Sequence, residues 1–229
     1  MSKKAKIKVK VKRRKLKIKN IVVSFIILLI IIFSGLLIID IPLKNIYITG
    51  NNILTDKEII TLANLSDYPS FISISINDIK KDLTSNSYIK DVNVSKKLPS
   101  KIYIEVIEYL PICLYEDKVI LSSGDILDNT YEITNIPVLD NYPTDIYDKF
   151  IQKFSLIDSN ILAKISEIEY IPNEVDKDRF SLYMNDGNLV YITLSKIIKI
   201  NKYDSIYSQL EGKRGIIYLD SGDYIEIKE

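Results

Sequence analysis

The 229-residue sequence contains no histidine, no tryptophan and one cysteine, Cys113. Without histidine no Ser-His-Asp or Cys-His catalytic unit can form. One cysteine among scattered carboxylates makes no structural zinc site. It cannot close an internal disulfide either, so a hydrophobic core must hold the fold. Within the apolar run LPICLY, Cys113 reads as a small buried hydrophobe. Neither G-x-x-x-x-G-K-[ST] nor G-x-G-x-x-G occurs, which excludes two common phosphate-cradling loops. The acid–glycine stretches NDGN and SSGDILD lack the ligand spacing and distal glutamate of a calcium loop, and they read as turns. Glu167 and Glu169, two apart on a strand, would face the same way. Such a pair could mimic a glycosidase's, but the spacing reads as a solvated strand face. These absences point to a chain that binds rather than catalyses, with no cofactor, no metal and no small-molecule substrate.

What is present is strongly polarised along the chain. Residues 1–20 carry eleven Lys and Arg and no acid, whereas residues 40–229 carry twenty Lys and Arg against thirty Asp and Glu. Between them lies IVVSFIILLIIIFSGLLII, residues 21–39, in which only Ser24, Ser34 and Gly35 depart from apolarity. Nineteen helical residues span about 28 Å, close to the hydrocarbon thickness of a bilayer. The run exceeds a usual signal-peptide core, and bulky residues follow it where small-x-small would mark cleavage, so an uncleaved signal anchor is expected. The basic cluster from Lys3 to Lys19 then places the N-terminus in the cytoplasm and the chain from Asp40 onward outside. A nucleic-acid role for that cluster competes, but no aromatics interleave it. Contact with anionic lipid is a further possibility for it. Ser34 and Gly35 offer a patch for a partner helix, with plain lipid contact the alternative.

Beyond Leu43 the patterning becomes that of a folded α+β region. KNIYITGNNIL reads as a strand ending in a turn whose Gly and Asn accept positive φ. In TDKEIITLANL, Thr55 and Glu58 form a capping box for a short helix. Ser75 caps a second helix carrying Ile76, Ile79 and Leu83, and Pro69 separates the two. YIKDVNVSKKLPSKIYIEVIEYLPI, residues 88–112, alternates at Val92/Val94 and at Ile102/Ile104/Val106 and reads as two strands. The order over residues 43–112 is therefore β-α-α-β-β.

That order, with ITGNNILTDKEI at the first strand–helix junction and the Glu108-Tyr109-Leu110-Pro111 ending, resembles the POTRA domain of the bacterial cell-division family FtsQ/DivIB. The family usually has a basic residue after the glutamate, where this chain has Tyr109. The resemblance continues through SSGD, a hairpin turn, and IPVLDNYP, where Asn141 replaces a usual glycine. It implies four segments: a cytoplasmic basic tail (1–20), a transmembrane anchor (21–39), a POTRA-like domain (43–112) and a mixed α/β unit, the β domain (113–229). Within the last, residues 145–165 are expected as one helix with a stripe of Ile146, Phe150, Phe154, Ile157, Ile161 and Ile165. SEIEYIP reads as a strand, RFSLYMNDGNLVYITL as a hairpin, and SKIIKINKYDSIYSQL as another amphipathic helix.

The final stretch RGIIYLDSGDYIEI is strand-like, and a terminal strand is often an edge that can pair with a partner. The resemblance implies that this part recruits small membrane partners of the FtsL and FtsB/DivIC type. Ile216, Tyr218, Leu219, Tyr224 and Ile225 are the expected contacts, although alternate strand residues must face the core. The function implied is a septal scaffold that couples those partners to peptidoglycan synthesis. The alternative is a membrane-anchored POTRA-type accessory or sensor that binds extended polypeptide by strand addition.

Overall fold

The computed structural model describes residues 17–39 and 41–227. Its first element is α1, Ile18–Ile39, long and apolar enough to cross a membrane. Its 22 residues span about 33 Å. The Ser34 hydroxyl donates to the Ile31 carbonyl at 3.0 Å, so it brings no unpaired donor into an apolar medium. Of the expected basic tail, Lys17 precedes this helix and Lys19 lies in its first turn, and the residues from Lys3 to Lys15 lie outside the described residues. The same is true of Asp40.

The first folded unit contains β1 (Asn45–Thr49), α2 (Asp56–Leu62), α3 (Ile76–Thr84), β2 (Ile89–Lys97) and β3 (Lys101–Glu108), the β-α-α-β-β order expected. Its sheet runs β1-β3-β2, with β1 parallel to β3 and β2 antiparallel to it. Parallel neighbours require a crossover, and the two helices supply it. Both helix starts are capped as read. Thr55 and Glu58 complete a capping box, and the Ser75 side chain accepts from the Asp78 amide. Ile59, Ile79 and Leu83 from the helices meet Val92, Val94, Ile102, Ile104 and Val106 from the sheet in one buried cluster.

The second unit is built on a nine-stranded sheet. Its strands are β4 (Pro111–Tyr115), β5 (Lys118–Leu121), β6 (Ile126–Asp128), β7 (Val138–Asp140), β8 (Ile165–Tyr170), β9 (Arg179–Met184), β10 (Leu189–Thr193), β11 (Gly215–Tyr218) and β12 (Tyr224–Ile227). They lie in the order β12-β11-β10-β9-β8-β7-β4-β5-β6. Helices α4 (Tyr147–Phe154), α5 (Ser159–Leu162) and α6 (Tyr203–Gln209), with a 3-10 segment Leu194–Lys202, complete the unit. Phe150, Phe154, Ile197, Ile200 and Tyr203 from these segments pack with Ile168, Phe180, Leu182 and Ile192 of the sheet. Asn141, standing where the family usually has glycine, adopts φ 58°, a left-handed conformation that asparagine tolerates.

Two expectations need correction. Residues 145–165 are not one helix: α4 ends at Phe154, α5 starts at Ser159, and Ile165 opens β8. Asp158 is extended (φ −62°, ψ 136°), and the break is satisfied from outside. The Asn201 side chain accepts from the Asp158 amide at 3.0 Å and donates to the Leu156 carbonyl at 3.0 Å. The hydrophobic stripe survives because the broken pieces still turn Phe150, Phe154, Ile157, Ile161 and Ile165 inward. Likewise SKIIKINKYDSIYSQL divides into the 3-10 segment and α6 rather than one α-helix. The opening hairpin of the second unit is a three-stranded meander, because Glu116 (φ 54°) turns β4 into β5 before SSGD turns β5 into β6.

Candidate functional site at the C-terminal hairpin

The terminal strand reading resolves into a hairpin. β11 lies parallel to β10, and β12 returns antiparallel to β11 and forms the edge of the described sheet. Gly215 permits this closeness, since a Cβ there would lie 2.7 Å from the Glu226 carbonyl oxygen. On one face a ladder of side chains crosses four strands. The Arg179 guanidinium lies 4.3 Å above the Tyr191 ring, Tyr191 is 5.4 Å from Tyr218, and Tyr218 stacks on Tyr224 at 4.5 Å and 14°. The opposite face turns Ile217 and Leu219 into the core with Ile225 packed against them.

The expected contact residues therefore separate. Ile216 and Tyr218 alternate with the core residues and are half-buried, and Tyr224 is exposed on the edge strand. Ile225 is half-buried over the core. Leu219 is 4% exposed, in the core where strand alternation places it, and it forms part of the wall of the groove beside the hairpin.

The turn Asp220-Ser221-Gly222-Asp223 is pinned by groups far away in sequence. Arg179 Nε donates to the Asp220 carboxylate at 2.7 Å, and the Asp220 side chain is 5% exposed. Lys196 donates to the Asp220 carbonyl oxygen, and the Leu219 and Asp220 amides both donate to the Tyr191 carbonyl. Lys199 pairs with Asp223 at 2.6 Å. Burial works to raise the Asp220 pKa, but the hydrogen bonds from Arg179 and Ser221 and the guanidinium charge hold it below the ordinary carboxylate value. Between the hairpin and the helical segments runs an open groove of about 330 Å³, whose lining includes Lys199, Lys202, Ile206, Gln209, Tyr224 and Ile225. Arg179, Tyr191, Lys196 and Lys199 were missed in the sequence. Nothing local marks them, since they meet the turn only through the strand order.

Two other residues singled out in the sequence have structural surroundings. Glu169 accepts from Ser181 at 3.0 Å and from the Tyr183 hydroxyl at 2.9 Å, which ties it to its neighbouring strand. Cys113 is fully buried, and desolvation pushes its thiol pKa up, the opposite of an activated nucleophile. Among the described residues no group of three or more potential metal ligands converges.

Two family models match the two folded units. Residues 41–109 match the model of the POTRA domain, FtsQ-type, and residues 113–225 match that of the cell division protein FtsQ/DivIB C-terminal domain. The chain is 32% identical over 216 residues to the cell division protein DivIB of Bacillus subtilis, covering 89% of this chain and 82% of that one. It is 30% identical over 196 residues to DivIB of Listeria monocytogenes, covering 80% and 72%. Among solved structures, the major extracytoplasmic domain of DivIB from Geobacillus stearothermophilus is 24% identical, with a TM-score of 0.37 over 45% of this chain and 95% of that one. The chain belongs to the FtsQ/DivIB family of bacterial cell division proteins.

Proposed function

We propose that this chain is a non-enzymatic, single-pass scaffold of the division septum. Its basic N-terminus lies in the cytoplasm, Ile18–Ile39 crosses the membrane, and the POTRA-type unit and the β domain, divided near residue 112, stand outside. There the β domain holds small membrane partners of the FtsL and FtsB/DivIC type and couples them to septal peptidoglycan synthesis. The observation that carries the reading is the C-terminal hairpin: an edge strand, β12, held rigid by the Asp220 turn and carrying the exposed Tyr224 beside a groove. An edge strand supplies backbone pairing, and the flanking side chains supply specificity. A rigid docking surface also lowers the ordering cost of binding.

The test is co-purification from membranes of the full chain with FtsL- and DivIC-type proteins of the same cell, using wild type and Tyr224→Asp. Capture by the wild type should be lost or reduced at least tenfold in Tyr224→Asp, with the fold intact by circular dichroism. Equal capture by both would remove the hairpin from the interface. Depletion of the chain should give filamentous cells, and normal division on depletion would overturn the scaffold role.

A further inference from the structure

The end of the POTRA-type unit that receives the chain from α1 exposes apolar side chains among lysines. Ile39 is the last residue of α1, and the Ile41 carbonyl already accepts the Phe71 amide at 2.8 Å. Two peptide steps separate Ile39 from Ile41, a reach of about 7 Å. The entering strand is then gripped from both sides. Pro42 bridges to Ser70, and the Leu43 amide donates to the Pro69 carbonyl at 3.0 Å. On the other side the Lys44 amide donates to Ser100, whose hydroxyl donates to the Pro42 carbonyl. The loops around residues 68–72 and 97–101 thereby flank the strand that follows α1 in the chain. A helix of about 33 Å matches a hydrocarbon layer of about 30 Å, and each headgroup layer adds about 5–7 Å.

These loops expose apolar side chains that nothing in the described fold covers. Leu98 is 84% exposed at the tip of the β2–β3 turn, Tyr68 is 61% exposed and Ile72 is 47% exposed. A solitary exposed leucine is ordinary, but these three flank the entry point of the span. Lysines surround them. Lys44 and Lys97 are exposed and Lys101 is half-buried, while Lys96 is engaged with the Ile74 carbonyl and the Phe71 ring. Lys97 also lies over the Tyr103 ring at 4.6 Å. The acids near this end are Asp67, Asp78, which shares a shallow pocket with Pro69 and Ile74, and, by sequence, Asp40; Lys44, Lys96, Lys97 and Lys101 leave a small basic excess. Apolar tips inside a basic ring are the composition of a surface that lies at an anionic membrane interface.

We propose that this end of the POTRA-type unit sits in the headgroup layer of an anionic bilayer, with Leu98 inserted and Lys44, Lys97 and Lys101 on lipid phosphates. The unit is then a fixed foot on the membrane, not a bead on a tether. The inference rests on the reading of Ile18–Ile39 as the anchor.

The absence of tryptophan makes the test direct. Leu98→Trp and Val175→Trp each create a single-tryptophan full chain, and Val175 is 88% exposed in the second unit. Both are reconstituted in vesicles of phosphatidylcholine with or without phosphatidylglycerol. Leu98→Trp should emit to the blue of Val175→Trp and be quenched by brominated acyl chains, more strongly with phosphatidylglycerol present. Adding Lys97→Glu with Lys101→Glu should return the emission toward the red. Tryptophan itself favours interfaces, so Ile72→Trp is read as well, and its quenching should fall when Leu98→Ser is added. If Leu98→Trp is as red and unquenched as Val175→Trp, or is quenched equally without anionic lipid, the proposal is overturned. Release of the wild-type chain from vesicles by alkaline carbonate would overturn the anchor reading. Retention with an unquenched Leu98→Trp overturns the foot alone.

Discussion

Glu108 orders the first unit from its last strand. Its carboxylate accepts the amides of Asn52 and Ile53 at 2.8 Å each and of Leu54 at 2.9 Å, closing the GNNIL loop onto the end of β3. In sequence, the Gly-Asn-Asn turn and the Glu-x-x-Pro ending are each recognisable. That they form one device is not, because more than fifty residues and the parallel β1–β3 pairing lie between them. Glu108→Gln replaces a carboxylate with a group that can direct only one oxygen at three donors. It should cost about 1.5–3 kcal/mol in urea unfolding, the range for hydrogen bonds to a charged group. Asp220 gives a second residue-scale test, through pH. Its folded pKa lies below the unfolded one, so its contribution is complete above the unfolded value of about 3.9 and is lost as pH falls through the folded value. The stability gap between wild type and Asp220→Asn should be largest near neutrality and narrow on acidification. A gap that is constant with pH would mean that Asp220 acts by shape and not by charge.

Elements with local signals were legible, and elements defined by distant partners were not. The capping residues Thr55 and Ser75 start helices because their side chains bond their own first turn, an interaction contained within four residues. The break at Asp158 carries no such mark, and the apolar spacing through residues 146–165 even argues for continuity. The interruption is stable because Asn201, over forty residues on, supplies its missing donor and acceptor. Gly50 shows how one position controls an element junction. It sits at φ 84°, and a Cβ there would come within 2.1 Å of the Val106 carbonyl oxygen, a backbone atom that cannot step aside alone. Gly50→Ala combines a disfavoured φ with a clash against β3. It should destabilise by at least about 2 kcal/mol, measured as a lower urea midpoint with an unchanged slope. Gly212, also at positive φ (81°) but with no atom within 4 Å of its would-be Cβ, is the control that carries the φ cost without the clash.

At the scale of the whole molecule, two sheets would ordinarily suggest two bodies free to move about a linker, since interfaces between domains are commonly polar. The strands after Pro111 argue otherwise. On β5, Val119 and Leu121 face the first core and Ile120 faces the second, all three with no exposed surface. On β4, a bulge between Pro111 and Cys113 turns both Ile112 and Cys113 toward the second core, while Leu114 packs on the first. The segment after β6 adds Tyr131, Ile133 and Ile136 to the first core, with Tyr131 edge-on to Tyr88 at 5.0 Å. The meander thus belongs by hydrogen bonding to the nine-stranded sheet and by packing to both units. The unbroken apolar run Val119-Ile120-Leu121 is compatible with burial on both faces, but it cannot say that each face belongs to a different core. Leu121→Ala should therefore act beyond its own strand. Removing a fully buried leucine costs about 2–5 kcal/mol. If the cores are joined through β5, amide protection should fall together at Ile104 in β3 and Leu182 in β9, and the full chain in detergent should unfold in one cooperative transition. Loss of protection at Ile104 alone, or two resolved transitions, would show that the units fold separately and that the meander is only a covering layer.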